Sequence, residues 1–341
     1  MLLDTMTMAI RPTPQAPPLA PPRPAIVRHL VLAYRPKWQA LSDLHAIAHH
    51  VAAIDPTIAT FVAPADRRNA VVTRDAATRP TLIVSNGIMP VFRPRRGRLY
   101  QGSVLPKIDE LRRLSDAGVP VPMTTVLTPD LVLDPAEWGE FVIVKPTDRD
   151  TSSHGLGITL MRTRRVRYRA PAEYPADHPG RHGPMLVQQF VDTGDHVVIC
   201  RVLTLFGEPL YAIADRTLEP RVSLHADDAE IEAAPIASQL ARGRQSVFVD
   251  DPHVLALARA AHAAVPEVPL KGCDIVQDAR TGRLYVLELN CGGNTWHFSS
   301  AQQAHERARN GAEFEMRRAA QFDAFRTAAR VLVERTNAEA V

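Results

Sequence analysis

From residue 26 onward the chain alternates short apolar blocks with clusters of turn-forming residues. Ile26–Tyr34, Thr81–Ser85 and Phe141–Val144 are continuous apolar runs of strand length, and Asn86-Gly87 after the second marks a turn. Trp38–Ile54 and the segment opening at Lys107 instead space their apolar residues three and four apart, as amphipathic helices do. The second helix is stopped by Gly118 and then by Pro120 and Pro122. Further strands are predicted over Ile158–Met161, Met185–Phe190, His196–Gly207 and Pro209–Arg216, followed by a helix over Val254–Ala264. A hairpin over Cys273–Asn290 turns at Gly282, and helices continue to about Thr336. Phe314, Phe322 and Phe325, at helical spacing, read as core. No internal repeat is visible, and the alternation predicts an α/β fold.

Breaks in this pattern divide the 341 residues into parts, a length that suits two or three compact units. Seven of the thirteen residues from Pro12 to Pro24 are proline, so 1–24 is expected to be a disordered tail. The expected parts are then a small α/β unit over 25–103, a central unit over 104–187 and a C-terminal unit over 188–336. Forty Lys and Arg against thirty-seven Asp and Glu leave a net charge of +3, which excludes a dedicated nucleic-acid binder. Cys200, Cys273 and Cys291 have no C-x-x-C spacing and are odd in number, which speaks against a disulfide framework or a zinc site. With no apolar run of membrane-spanning length and no signal-peptide pattern, the expectation is a cytoplasmic protein.

Candidate chemistry concentrates in two places. Two strands of the Cys273–Asn290 hairpin carry Asp274, Glu288 and Asn290. Residues two apart share a strand face, so Glu288 and Asn290 point the same way, and the turn sets Asp274 opposite Glu288. Carboxylate and amide oxygens without His or Cys suit Mg²⁺; the other reading is a solvated strand face. In "VIVKPTDRDTSSHGLG" an apolar strand delivers Lys145 to a polar loop with Ser152, Ser153, Gly155 and Gly157. A lysine beside hydroxyls and bare backbone amides is an anion site in the making, or an ordinary polar loop. His45, His49 and His50 decorate a helix rather than bind metal, and His297 is either a base or a packing residue.

Taken in order, the motifs from Lys107 to Ser300 resemble the ATP-grasp superfamily, in particular D-alanine–D-alanine ligases and related peptide-bond-forming ligases. "PKIDELRRLSDAGVPVP" resembles the segment whose lysine reaches nucleotide phosphates, which points to Lys107. The stretch around Lys145 resembles the family's strand and phosphate flap, with Ser152 and Ser153 in the flap. "LVQQFVDTGD" resembles the hinge that grips adenine, implying Gln188, Gln189 and Val191 at the base and Asp195 at the ribose. "CDIVQDARTGRLYVLELN" resembles the magnesium hairpin, implying Asp274, Glu288 and Asn290 as ligands. Arg201 and Arg216 fall where relatives aim arginines at phosphate or acyl phosphate. Two departures stand out: the flap contains Asp148 and Asp150, and Gln188 replaces a frequent Glu.

The resemblance implies an ATP-grasp fold in which a small N-terminal parallel-sheet domain precedes central and C-terminal domains that clasp ATP. It implies an enzyme that uses ATP and Mg²⁺, or Mn²⁺ in its place, to join a small carboxylate to an amine through an acyl phosphate. Loop "CGGNTWHFSS" would form the substrate side, with Asn294, His297, Ser299 and Ser300 orienting the ligand. Two alternatives stay open. One is a ligase acting on a ribosomal peptide, for which the arginine-rich 162–182 stretch would meet an acidic leader. The other is a nucleotide-binding protein with no ligase activity.

Overall fold

A computed structural model describes residues 24–341 except 37, 77, 90, 92–95, 148–154, 237–242 and 300, and the side chains of 301–305. Ser152, Ser153, Asp148, Asp150, Ser300 and nearly all of the proline-rich tail therefore lie outside the described residues. The rest is α/β, built on three sheets.

Strands β1 (Arg28–Tyr34), β2 (Ile58–Pro64), β3 (Thr81–Ser85) and β4 (Arg98–Tyr100) form a parallel sheet in the order β2-β1-β3-β4. Both faces are covered, so β1 and β3 read as unbroken apolar runs. Leu30 and Leu32 lie in one core with Leu44, Ile47 and Val51 of helix α1 (Leu41–Ile54). Val31 and Ala33 lie in another with Val72 and Ala76 of helix α2 (Ala70–Ala76). The chain leaves β1 for β2 on one side and returns to β3 on the other. Strand order therefore reverses between β1 and β3, the place where open α/β sheets part to admit ligands. Of these strands, β2 and β4 went unforeseen: β2 carries small residues and ends in Pro64, and β4 has only three residues.

Helix α3 (Lys107–Asp116) leads into an antiparallel sheet of β5 (Thr124–Val126), β6 (Phe141–Pro146), β7 (Thr159–Arg162) and β8 (Met185–Gln189), ordered β5-β8-β6-β7. The boundary expected at 187/188 falls inside β8, whose Gln188 and Gln189 still pair with β6. Between β7 and β8 the arginine-rich stretch forms three single 3₁₀ turns. Its arginines are largely engaged within the chain. Arg162 pairs with Asp228 at 2.9 Å and with Glu140, and Arg165 pairs with Glu232 at 2.6 Å. Arg181 donates to the backbone oxygens of Ala172 and Tyr174.

Strands β9 (Val198–Leu205), β10 (Glu208–Thr217), β11 (Arg244–Phe248), β12 (Leu270–Gln277) and β13 (Leu284–Asn290) make the third, antiparallel sheet, ordered β11-β10-β9-β12-β13. Alternation splits β9 and β12 between two cores. Val202 and Cys273 pack with Ala258 and Ala261 of the helix Pro252–Ala263. Leu203, Leu205 and Leu270 pack instead with Trp296, Phe298 and the N-terminal unit. That second core is shared, because Ala328, Ala329 and Leu332 of the helix Ala324–Glu339 join it beside α1. Asn337 donates to Asp55 at 3.0 Å, and Tyr100 donates to Glu339. Phe314 and Phe325 pack on this core and Phe322 on the other, so all three serve packing.

One polar cluster is buried under the third sheet. Lys271, fully enclosed, pairs with Thr204 across β12 and β9 and donates from Nζ to the His262 backbone oxygen at 2.7 Å. The His262 ring meets the Thr204 hydroxyl at 2.8 Å through Nδ1, and its Nε2 has no hydrogen-bond partner among the described residues. Burial pulls Lys271 down to about 7 and His262 down to about 2.

Candidate active site

The cleft between the second and third sheets gathers its charged groups from five elements. Lys107 opens α3, Lys145 ends β6, Arg201 sits in β9, and Asp274 and Glu288 face each other across β12 and β13. Lys107, Lys145, Gln188, Asp274 and Glu288 all line one cavity. Its apolar walls come from residues such as Ile143, Ile158, Val276 and Leu287. Apolar walls with a few convergent polar groups are the usual make-up of a small-molecule site.

Each charge is held by a specific partner. Lys145 Nζ donates to Gln188 Oε1 at 2.8 Å, and Gln188 Nε2 donates to the Thr124 hydroxyl at 2.9 Å. An amide orients Lys145 without cancelling its charge, which a glutamate there would do. Lys107, almost wholly buried, stands 3.4 Å from Glu288. Arg201 grips Asp274 with two parallel hydrogen bonds of 2.7 Å, and Asn290 donates to the same carboxylate at 3.2 Å. Burial alone drives both members of that pair toward neutrality. The two-pronged contact overrides it for Arg201, which stays charged with its pKa above the usual value. Asp274 sits above the ordinary carboxylate range because burial, aided by Glu288, outweighs Arg201.

Among the described residues no group of three or more His, Cys, Asp and Glu is placed to hold a metal ion. The Asp274–Glu288–Asn290 set still fits Mg²⁺ in kind, since that ion takes one or two carboxylates and completes its shell with water and phosphate oxygens. A cation already stands against each carboxylate: the Lys107 ammonium against Glu288 and the Arg201 guanidinium against Asp274. The carboxylate pair is thus built to be neutralised.

Two expected residues are not among those that line the cavity. Asp195 is exposed, and what it contributes is a backbone oxygen accepting from the Arg221 N–H at 2.8 Å. Arg216 is exposed on β10 and pairs with Gln245 of β11. Gln189 and Val191 do line the cavity. So does Arg221, which the sequence reading passed over; it is tied to Asp192 at 2.8 Å. Nothing near Arg221 in the sequence distinguishes it from the other arginines.

No protein-family model matches the chain, and no curated protein matches its sequence. Solved structures do resemble it. The D-cycloserine synthetase DcsG is 17% identical, with a TM-score of 0.47 over 90% of this chain and 99% of that one. D-alanine–D-alanine ligase from Bacillus anthracis is 14% identical, with a TM-score of 0.41 over 90% and 99%. The ATP-grasp ligase PsnB, solved with a minimal precursor, is 15% identical, with a TM-score of 0.46 over 91% and 100%. These neighbours are ligases and synthetases. At such identities and TM-scores the likeness stands as a resemblance only, and the chemical reading rests on the cleft.

Beyond β13 the loop Cys291–Ser299 docks on the N-terminal unit. Gln39 donates to the Gly293 oxygen at 3.2 Å, and Ala40 N–H donates to the Ser299 hydroxyl at 2.9 Å. Trp296 Nε1 donates to Asp43 at 2.8 Å. His297 is fixed through Nδ1, 2.8 Å from Glu306, while Arg318 donates to the His297 oxygen and pairs with Glu306. Burial pushes the Glu306 carboxyl up, but His297 and Arg318 override it and hold it at about 2.

Proposed function

We propose that the protein is a Mg-ATP-dependent ligase that activates a carboxylate as an acyl phosphate and joins it to an amine. The supporting observation is the convergence of Lys107 and Lys145 with the Asp274–Glu288 pair at one apolar-walled cleft, with Arg201 gripping Asp274 from behind it. Two lysines beside a pair of carboxylates on facing strands are the groups that a triphosphate with its metal requires. In this reading Lys145, oriented by Gln188, and Lys107 hold phosphate oxygens. Asp274, Glu288 and Asn290 would hold Mg²⁺, which when bound offsets phosphate charge. Arg201 steadies Asp274. A substrate carboxylate takes the γ-phosphoryl group, ADP leaves, and an amine then displaces phosphate from the acyl phosphate.

A protein that only binds nucleotide would gain nothing from an Arg201–Asp274 clamp beside a second carboxylate, which favours the enzyme. The peptide-ligase alternative loses part of its sequence argument, because Arg162, Arg165 and Arg181 of the 162–182 stretch are engaged by Glu140, Asp228, Glu232 and backbone oxygens.

Trapping tests the chemistry. An acyl phosphate is a strong electrophile, so incubation with Mg-ATP, hydroxylamine and a pool of carboxylic acids is expected to yield a hydroxamate with ADP and inorganic phosphate. Release of AMP and pyrophosphate instead would show an acyl-adenylate route and overturn the proposal. Calorimetry supplies a second check: ATP is expected to bind with micromolar affinity in Mg²⁺ and at least tenfold more weakly in EDTA, because Glu288 and Asp274 repel the bare triphosphate. Affinity indifferent to Mg²⁺ would remove the metal assignment.

A further inference from the structure

The cavity holds one charged group to which the phosphate chemistry gives no role. Arg221 lines it, and the arginine side chain is only 8% exposed. Its Nε donates to the Gly194 oxygen at 2.9 Å, one terminal nitrogen donates to Asp192 at 2.8 Å, and the other donates to the Val222 oxygen at 3.0 Å. The Arg221 backbone N–H adds a bond to the Asp195 oxygen, so the loop that follows β8 is held at several points. A guanidinium has five N–H groups. Each terminal nitrogen of Arg221 therefore keeps one N–H without an acceptor among the described residues. Donors so nearly enclosed are seldom left unused, and these two belong to a molecule that fills the cavity.

Both walls of the cleft place Arg221 away from the carboxylate pair. On the second sheet Lys145 pairs with Leu186 of β8, and Phe190 lies just past the end of that strand, its ring centre 5.8 Å from the Arg221 guanidinium carbon. On the third sheet Asp274 faces Glu288, while Ala279 in the hairpin turn donates to the backbone oxygen of Asp192, the partner of Arg221. From Asp274 to Ala279 is on the order of 15 Å at about 3.3 Å per residue. Apolar Ile143, Val276 and Leu287 line the space between.

The charge of Arg221 is already balanced by Asp192, so a phosphate would gain little there, and Lys107 and Lys145 stand at the other end. A neutral ion pair with two N–H groups to spare suits an uncharged acceptor, a hydroxyl oxygen or a ring nitrogen. Neither Asp192 nor Asp195 lines the cavity, which leaves Arg221 as the charged side chain that the loop presents to it. We infer that Arg221 sets specificity for the nucleoside part of the nucleotide by donating to an uncharged acceptor of its sugar or base. The direction of the nucleotide rests on the ligase reading, which puts the phosphates beside Asp274 and Glu288.

The test is calorimetry on the full chain with Mg-ADP and its 2′-deoxy, 3′-deoxy, 1-deaza, 3-deaza and 7-deaza analogues, each lacking one acceptor. Wild type is expected to bind ADP about tenfold more tightly than at least one analogue, the loss of a single good hydrogen bond. A deoxy analogue would mark the sugar and a deaza analogue the base. Arg221→Gln is expected to weaken ADP binding about tenfold and to bring ADP and that analogue within about threefold of each other. Arg221→Lys, which keeps the charge opposite Asp192 and loses the fork, is expected to fall between, and it decides the matter in the same way if Arg221→Gln does not fold. Three results overturn the assignment: variants that bind ADP like wild type, variants that weaken ADP and every analogue by one common factor, or a wild type that binds all of them alike. The common factor would mean that Arg221 only holds the loop. Hydroxamate formation by wild type is read separately. Arg221-dependent ADP binding without any hydroxamate would count against the ligase reading and leave this contact standing, and no ADP binding at all would sink both.

Discussion

Lys271→Met is expected to stabilise the protein, and by an amount that depends on pH. In the folded chain Lys271 is enclosed under the third sheet with its pKa near 7, while in the unfolded chain it returns to the ordinary 10.5. Between those values the unfolded state binds a proton that the folded state does not. Stability therefore rises with pH across that interval; the contribution is complete above 10.5 and lost below 7. The full span corresponds to roughly 5 kcal/mol at 1.36 kcal/mol per unit. Methionine fills similar volume without the proton, giving up only the hydrogen bond to the His262 oxygen, about 1 kcal/mol. The variant should melt several degrees above wild type at pH 7, and the gap should close by pH 10. Thermal melts of both proteins from pH 6.5 to 10 decide the matter; parallel curves would mean that Lys271 stays charged in the fold.

Glu288→Gln is expected to slow turnover about 10²-fold or more, the usual loss when a charged group that balances a reacting phosphate is removed. The change keeps the shape of the side chain but halves the negative charge of the pair with Asp274, and it leaves Lys107 facing a neutral amide. Hydroxamate formation measures the effect without knowledge of the natural amine. Nucleotide binding gives the contrast: in EDTA the variant should hold ATP at least as tightly as wild type, since a repulsive charge is gone and Lys107 is released. Wild-type turnover in Glu288→Gln would detach this residue from the chemistry.

The parts of the fold that were legible in the sequence are those set by local pattern. Buried strands β1, β3 and β6 announce themselves as apolar runs, and the β12–β13 hairpin follows from its turn, which puts Asp274 opposite Glu288. Contacts that cross between distant elements left no such trace. Arg201 meets Asp274 because β9 lies beside β12, and Lys107 meets Glu288 because α3 packs near β13. Neither adjacency has a local signature. Gln188 shows the same limit, since its grip on Lys145 depends on β8 pairing with β6. Asp195 and Arg216 show the reverse: each sits in a suggestive stretch of sequence, yet Asp195, in the bend before β9, and Arg216, on β10, are both exposed.

The helix Ala324–Glu339 supplies part of the core into which β1 and α1 pack. During vectorial synthesis the N-terminal strands leave the ribosome long before that helix exists, on the order of tens of seconds earlier at ordinary elongation rates. Over that interval the core of Leu30, Leu32, Leu44 and Val51 lacks the part of its cover that Ala328, Ala329 and Leu332 supply. The nascent chain is therefore expected to display apolar surface until that helix is made. Released chains ending before residue 324 should bind a hydrophobic-segment chaperone, and the released full-length chain should not.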